Sequence, residues 1–127
     1  MIKIKNIKIG ILGLGYVGLP LAIEFGKLFD VIGYDTNTQR INNLKKKIDK
    51  NRDITKKNFK DAIYLNFTDQ VEHLKNCNTY IITVPTPINK SKKPNLNLVK
   101  NACKLIGKLI KKNDVVILES TVYPGVS

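Results

Sequence analysis

A chain of 127 residues with 43% hydrophobic side chains has the size of one domain and enough apolar surface for a packed core, which excludes wholesale disorder. Its net charge of +12 rests on Lys, with Arg only at Arg40 and Arg52, and no recognition motif accompanies it, so a nucleic-acid surface is not expected. No apolar stretch approaches the ~18 residues of a membrane span, the N-terminus lacks a signal-peptide pattern, and Cys77 and Cys103 cannot build a disulfide framework; no membrane partner and a reduced, cytoplasmic setting are expected.

Apolar runs of strand length alternate with segments of helical period, the pattern of a parallel sheet with crossover helices. Lys8–Leu12 is the first expected strand. Residues 13–18 turn the chain, and 19–28 form a helix with Leu21, Ala22, Phe25 and Leu28 on one face. A strand at 31–34 leads to a helix at 38–48, capped by Thr38, with Ile41, Leu44 and Ile48 at helical spacing. The polar stretch 51–62 holds a short helix, followed by a strand near 64–67 and a helix running to Lys75 that Thr68 or Asp69 caps. The fourth strand, 79–84, is stopped by Pro85 and Pro87. Residues 96–111 give the strongest helical pattern: Val99, Ala102, Cys103, Ile106, Leu109 and Ile110 form one stripe, which places Cys103 in the core. Val115–Leu118 is the fifth strand.

The expected fold is therefore α/β, a Rossmann-type doubly wound parallel sheet of order 3-2-1-4-5. Residues 1–127 form one domain without internal repeats, incomplete at its C-terminal end. A full doubly wound sheet adds a sixth strand, and without it Val115–Leu118 is an apolar edge.

Gly13, Gly15 and Gly18 form a GxGxxG turn between the first strand and the first helix, where a dinucleotide site needs it. The first glycine permits the tight turn, the second lets a pyrophosphate approach the backbone, and the third allows close helix–strand packing. The helix N-terminus adds free N–H groups and a positive dipole end. Asp35 ends the second strand, where a carboxylate accepts hydrogen bonds from the adenosine ribose and repels a 2′-phosphate. NAD is thus the expected cofactor, in preference to NADP. Arg40 reads equally as reaching the adenine or ribose edge and as a surface arginine. Two further segments at strand carboxyl ends, 83–87 and 119–121, either line the cofactor's path or are ordinary turns. His73 reads as a surface residue, and no metal ligand set is expected.

The segments GILGLGYVGLPLAIEFGK (10–27), VIGYDTNTQRI (31–41), YIITVPTPI (80–88) and ILESTVYPG (117–125), in this order, resemble the NAD-binding domain of the UDP-glucose/GDP-mannose dehydrogenase family. TVPTPI with ESTVYPG is most similar to the branch that oxidises UDP-N-acetylhexosamines for surface polysaccharides. The resemblance implies two-step oxidation of a sugar C6 alcohol to a carboxylate, with two NAD reduced per turnover and a cysteine carrying the acyl intermediate. It implies that Gly13, Gly15, Tyr16, Val17 and Gly18 hold the pyrophosphate, mainly through backbone N–H groups at Tyr16 and Val17. Asp35 and Arg40 would hold the adenosine, Val84 and Thr86 the cofactor, and Thr121 a position near the nicotinamide and the catalytic water. The family's cysteine lies in a later Gly-Ser-Cys segment with no counterpart here, and the central helix and UDP-sugar-binding domain are absent too. The 127 residues alone are therefore expected to be inactive, with a UDP-sugar bound through the missing half and a parent that is a homodimer or larger. Lys47, Asn95 and Asn113 stand where the family often has Gly, Asp and Gly. The competing readings are a truncated NAD-binding module without activity and a 3-hydroxyacid-type dehydrogenase, against which VPTP and ESTVYPG argue.

Overall fold

The computed structural model describes residues 6–49, 54–85 and 95–119. Five strands, β1 (Lys8–Leu12), β2 (Asp30–Tyr34), β3 (Leu65–Thr68), β4 (Thr79–Ile82) and β5 (Val115–Leu118), form one parallel sheet of order β3-β2-β1-β4-β5. The expected Rossmann arrangement is therefore present, with β1 and β5 at the predicted boundaries. The central strand pairs on both sides, Ile9 matching Val31 of β2 and Thr79 of β4. Helices α1 (Gly18–Gly26), α2 (Thr38–Lys45), α3 (Lys56–Asp61) and α4 (Asn97–Leu109) connect the strands, with a 3-10 turn at Val71–Leu74. None of the described helices is long and apolar enough to cross a membrane.

Strand side chains alternate between the two faces, so the sheet divides two cores. Ile9, Ile11, Val31 and Ile81 pack with Leu19, Ala22 and Ile23 of α1 and with Ile41 and Leu44 of α2. Leu12, Tyr34, Tyr80 and Ile82 pack with Leu74 and with Ala102 and Ile106 of α4. Within the described residues β5 pairs with β4 alone, and its four side chains remain 40–54% exposed. That is the expected apolar edge.

Several local expectations are corrected. The first helix ends at Gly26, leaving Leu28 exposed; Gly18, Leu19, Ala22, Ile23 and Gly26 form its buried face. Asn37, not Thr38, caps α2, its side chain accepting from the Arg40 N–H, while the Thr38 hydroxyl donates to Asp69. This helix stops at Lys45 because the Ile48 N–H bonds the Asn43 carbonyl and the Lys47 N–H the Leu44 carbonyl. Such a Schellman closure needs a left-handed residue, supplied by Lys47 at φ 63°, and it leaves Ile48 exposed. The predicted helix after β3 is the 3-10 turn, with no side-chain cap from Thr68 or Asp69. β4 ends at Ile82, two residues early, and α4 runs from Asn97 to Leu109.

Cys103 is exposed, not core. The buried stripe of α4 centres on Ala102 and Ile106, with Leu105 and Leu109 partly buried, so Cys103 and Ile110 fall on its margin. Cys77 is buried at the amino end of β4, and the Tyr80 hydroxyl donates to its carbonyl or to that of Leu74.

Candidate functional site

The carboxyl ends of β1, β2 and β4 meet at the glycine turn. Gly13 has φ +98°, and its N–H donates to the Tyr34 carbonyl at 2.8 Å. A side chain there would meet the Val84 backbone nitrogen at 2.9 Å, so the chain just after β4 lies close against the turn. The Thr83 hydroxyl, buried, lies 2.7 Å from the Gly13 carbonyl and 3.1 Å from that of Leu12, within donating distance of both. A Cβ on Gly18 would collide with the Gly13 carbonyl and the Thr83 hydroxyl, so α1 can start this close to β1 only with glycine.

Gly15 differs. A Cβ built there meets nothing within 4 Å. Beside this open approach, Val17 is the N-cap of α1 and makes no side-chain cap hydrogen bond, and there is no acidic residue in the first turn. The N–H groups of Tyr16, Val17 and Gly18 find no acceptor among the described residues. Tyr16 is 67% exposed. These are uncommitted donors at the positive end of a helix dipole, which suit an anion such as a pyrophosphate.

The opposite charge stands at the end of β2. Asp35 accepts from the Leu14 N–H at 2.9 Å through Oδ2 and from the Asn37 N–H at 3.0 Å through Oδ1. Each oxygen keeps a lone pair for a ribose hydroxyl. Burial, followed by the fields of Asp35, Asp69 and Glu72, pushes the Tyr34 phenol above its ordinary pKa.

Arg40, on α2, reaches back to the turn: its Nε donates to the Leu14 carbonyl at 2.8 Å and its Nη1 lies 3.4 Å from Asp49 Oδ1. The structure thus brings together Gly13, Gly15, Tyr16, Val17, Gly18, Asp35, Arg40 and Val84. Thr86 and Thr121 lie outside the described residues. Sequence reasoning grouped Thr83 with a lining segment and passed over Asp49; the Thr83 bonds reach residues 70 and 71 positions away, and those of Asp49 reach Arg40 and Ile54 across a helix end that periodicity did not place. A hydroxyl near the carboxyl end of the strand expected at 79–84 was the one available signal for Thr83.

Residues 7–127 match the UDP-glucose/GDP-mannose dehydrogenase family, NAD binding domain. The chain belongs to that family. Its cofactor is NAD, and the uncommitted N–H groups, the open Gly15 and the Asp35 carboxylate fit that molecule. A UDP-N-acetyl-D-glucosamine 6-dehydrogenase of Salmonella typhi is 50% identical over 98% of the chain, and one of Pseudomonas aeruginosa 49% over 95%. Among solved structures, a UDP-D-ManNAc dehydrogenase from Pyrococcus horikoshii superposes with a TM-score of 0.82 at 34% identity, over 94% of this chain and 29% of that one. The chain also spans 29% of each of the two curated relatives. An (S)-3-hydroxybutyryl-CoA dehydrogenase from Ralstonia eutropha, with a TM-score of 0.63 at 16% identity over 91% of this chain and 41% of that one, shares the fold alone.

Proposed function

We propose that these residues are the NAD-binding part of a dehydrogenase that oxidises the C6 alcohol of a UDP-N-acetylhexosamine to a uronate for surface polysaccharide synthesis. Two relatives at 50% and 49% identity, both named UDP-N-acetyl-D-glucosamine 6-dehydrogenases, support the substrate class. Bound NAD would supply the hydride acceptor for that oxidation. In this reading the N–H groups of Tyr16, Val17 and Gly18 take the pyrophosphate, and Gly15 leaves its approach clear. Asp35 takes the ribose hydroxyls, with Arg40 at the adenosine end. Val84 and Thr86 line the path, and Thr121 stands near the nicotinamide and the catalytic water. The UDP-sugar is held by the part of the protein beyond these residues, in a cytoplasmic homodimer or larger assembly. Taken alone, the 127 residues hold NAD and turn over no sugar.

The observation that carries this proposal is the pairing of an open, donor-rich helix start at Gly15 with a carboxylate at the end of β2. Calorimetric titration tests it. NAD should bind more tightly than NADP, and Asp35→Ala should weaken NAD by roughly 1.5–3 kcal/mol, the worth of charged hydrogen bonds, narrowing the gap. Equal affinity of the native chain for both cofactors would refute the assignment of Asp35.

A further inference from the structure

Leu14, in the middle of the glycine turn, is held from two sides. Its N–H donates to Asp35 Oδ2 at 2.9 Å, and its carbonyl accepts from Arg40 Nε at 2.8 Å. A carboxylate and a guanidinium therefore flank a single residue. Behind the guanidinium stands Asp49, whose Oδ1 is 3.4 Å from Arg40 Nη1. The Asp49 side chain is 1% exposed and that of Arg40 is 18%. Asp49 Oδ2 accepts from the Ile54 N–H at 3.1 Å, so its position is fixed independently of Arg40. It is the one acidic residue in the run Lys45-Lys46-Lys47-Ile48-Asp49-Lys50. Burying a carboxylate is costly unless a cation and hydrogen bonds compensate it. Its placement behind this arginine therefore has consequences for what the arginine can do.

An arginine beside the ribose-binding acid is the side chain by which dinucleotide folds accommodate the 2′-phosphate of NADP, because the guanidinium fork suits phosphate oxygens. In this chain Nε is committed to the Leu14 carbonyl and Nη1 faces a buried negative charge. We propose that Asp49 is a specificity-determining positioning residue. By compensating Arg40 and holding its guanidinium against the turn, it denies the arginine to a 2′-phosphate and so enforces the choice of NAD together with Asp35. The inference rests on the proposed binding of the dinucleotide at this turn, and Asp49 acts through Arg40 without touching the cofactor.

The experiment is a calorimetric comparison of NAD and NADP binding to the native chain, Asp49→Asn and the double variant Arg40→Gln/Asp49→Asn, with circular dichroism melts for each. Asp49→Asn keeps an acceptor for Ile54 and removes the charge. It should shift the affinity ratio towards NADP about tenfold, an effect that weakens as salt is raised. The double variant should return the ratio to within about twofold of native, because nothing is left to unmask. A natively folded Asp49→Asn with the native ratio overturns the inference, as does a gain for NADP that persists in the double variant. Should Asp49→Asn not fold, the double variant, which removes both charges of this pair, decides alone. A native ratio supports the masking of Arg40, and a tenfold selective loss of NADP overturns it. A native chain that binds neither cofactor refutes the proposed site itself, whereas native NAD binding with an unmoved ratio refutes only the role of Asp49.

Discussion

A methyl group added at Gly18 would run into the Gly13 carbonyl and the Thr83 hydroxyl, whereas one added at Gly15 meets no atom within 4 Å. Two glycines three residues apart therefore differ in their surroundings, one closely packed and one open. Gly18→Ala forces α1 away from β1 and should cost about 1–3 kcal/mol, as overpacking of a filled site does. For a domain of this size that lowers the melting temperature by several degrees per kcal/mol. Gly15→Val should leave the far-ultraviolet dichroism and melting temperature of the free chain within a degree or two of native. It should abolish the thermal shift that NAD produces, because the branched side chain occupies the pyrophosphate's approach. A Gly15→Val chain that NAD still stabilises by the native amount would place the cofactor elsewhere.

At the scale of elements, the two non-glycine residues with positive φ among the described residues, Lys47 at 63° and Asn113 at 75°, sit where the family resemblance expects glycine. A side chain in the left-handed region costs roughly 1–2 kcal/mol, less for Asn, whose short amide tolerates that conformation. Lys47→Gly should therefore raise the urea unfolding free energy by about 1 kcal/mol while leaving the Schellman bonds of Ile48 and Lys47 in place. Asn113→Gly should change it by less. A loss of stability in Lys47→Gly would mean that the lysine side chain contributes something its backbone conformation does not reveal. The same helix end marks how far sequence reasoning reaches. Strands β1 and β5 were legible because each is a short β-branched run bounded by a turn or a polar residue. The strand order followed from crossover handedness and the glycine turn at β1. The end of α2 was not legible, since Ile48 continues the 3.6-residue period and only the hydrogen bonds of Ile48 and Lys47 break it. Cys103 was misplaced for a related reason: periodicity locates the centre of a stripe, but its buried width is set by what packs against it. At the candidate site, Gly13, Gly15, Gly18 and Asp35 were readable from spacing because their contacts span one βαβ unit. The clasp of Thr83 on Gly13 joins residues 70 positions apart and left no such trace.

At the scale of the whole molecule, the sheet has a chemical polarity. Its carboxyl ends carry the glycine turn, Asp35 and Thr83, whereas Cys77 precedes β4 at the amino end. Burial pushes the Cys77 thiol up to about 11, against the opposing pull of Lys111 and Lys8. Because the folded pKa is raised, the neutral thiol is the form the fold favours. That preference is complete below the ordinary thiol pKa of 9.0 and is lost as pH rises from there through about 11. Cys77 is thus neither placed nor ionised to attack a substrate near neutral pH, since the thiolate is the nucleophile. Cys103 is exposed on α4, outside the residues that gather at the turn. Iodoacetamide at pH 8 should accordingly add one carboxamidomethyl group per native chain, at Cys103. The second addition, at Cys77, should accelerate as pH is raised from 9 to 11 or when the chain is unfolded. The two-step oxidation implied by the family needs an activated thiolate beside the nicotinamide. The 127 residues mixed with NAD and UDP-N-acetylglucosamine should therefore give a flat NADH absorbance trace, in the native chain and in Cys77→Ser and Cys103→Ser alike. Sustained NADH production that disappears in either serine variant would show that one of these thiols reaches the reacting carbon after all.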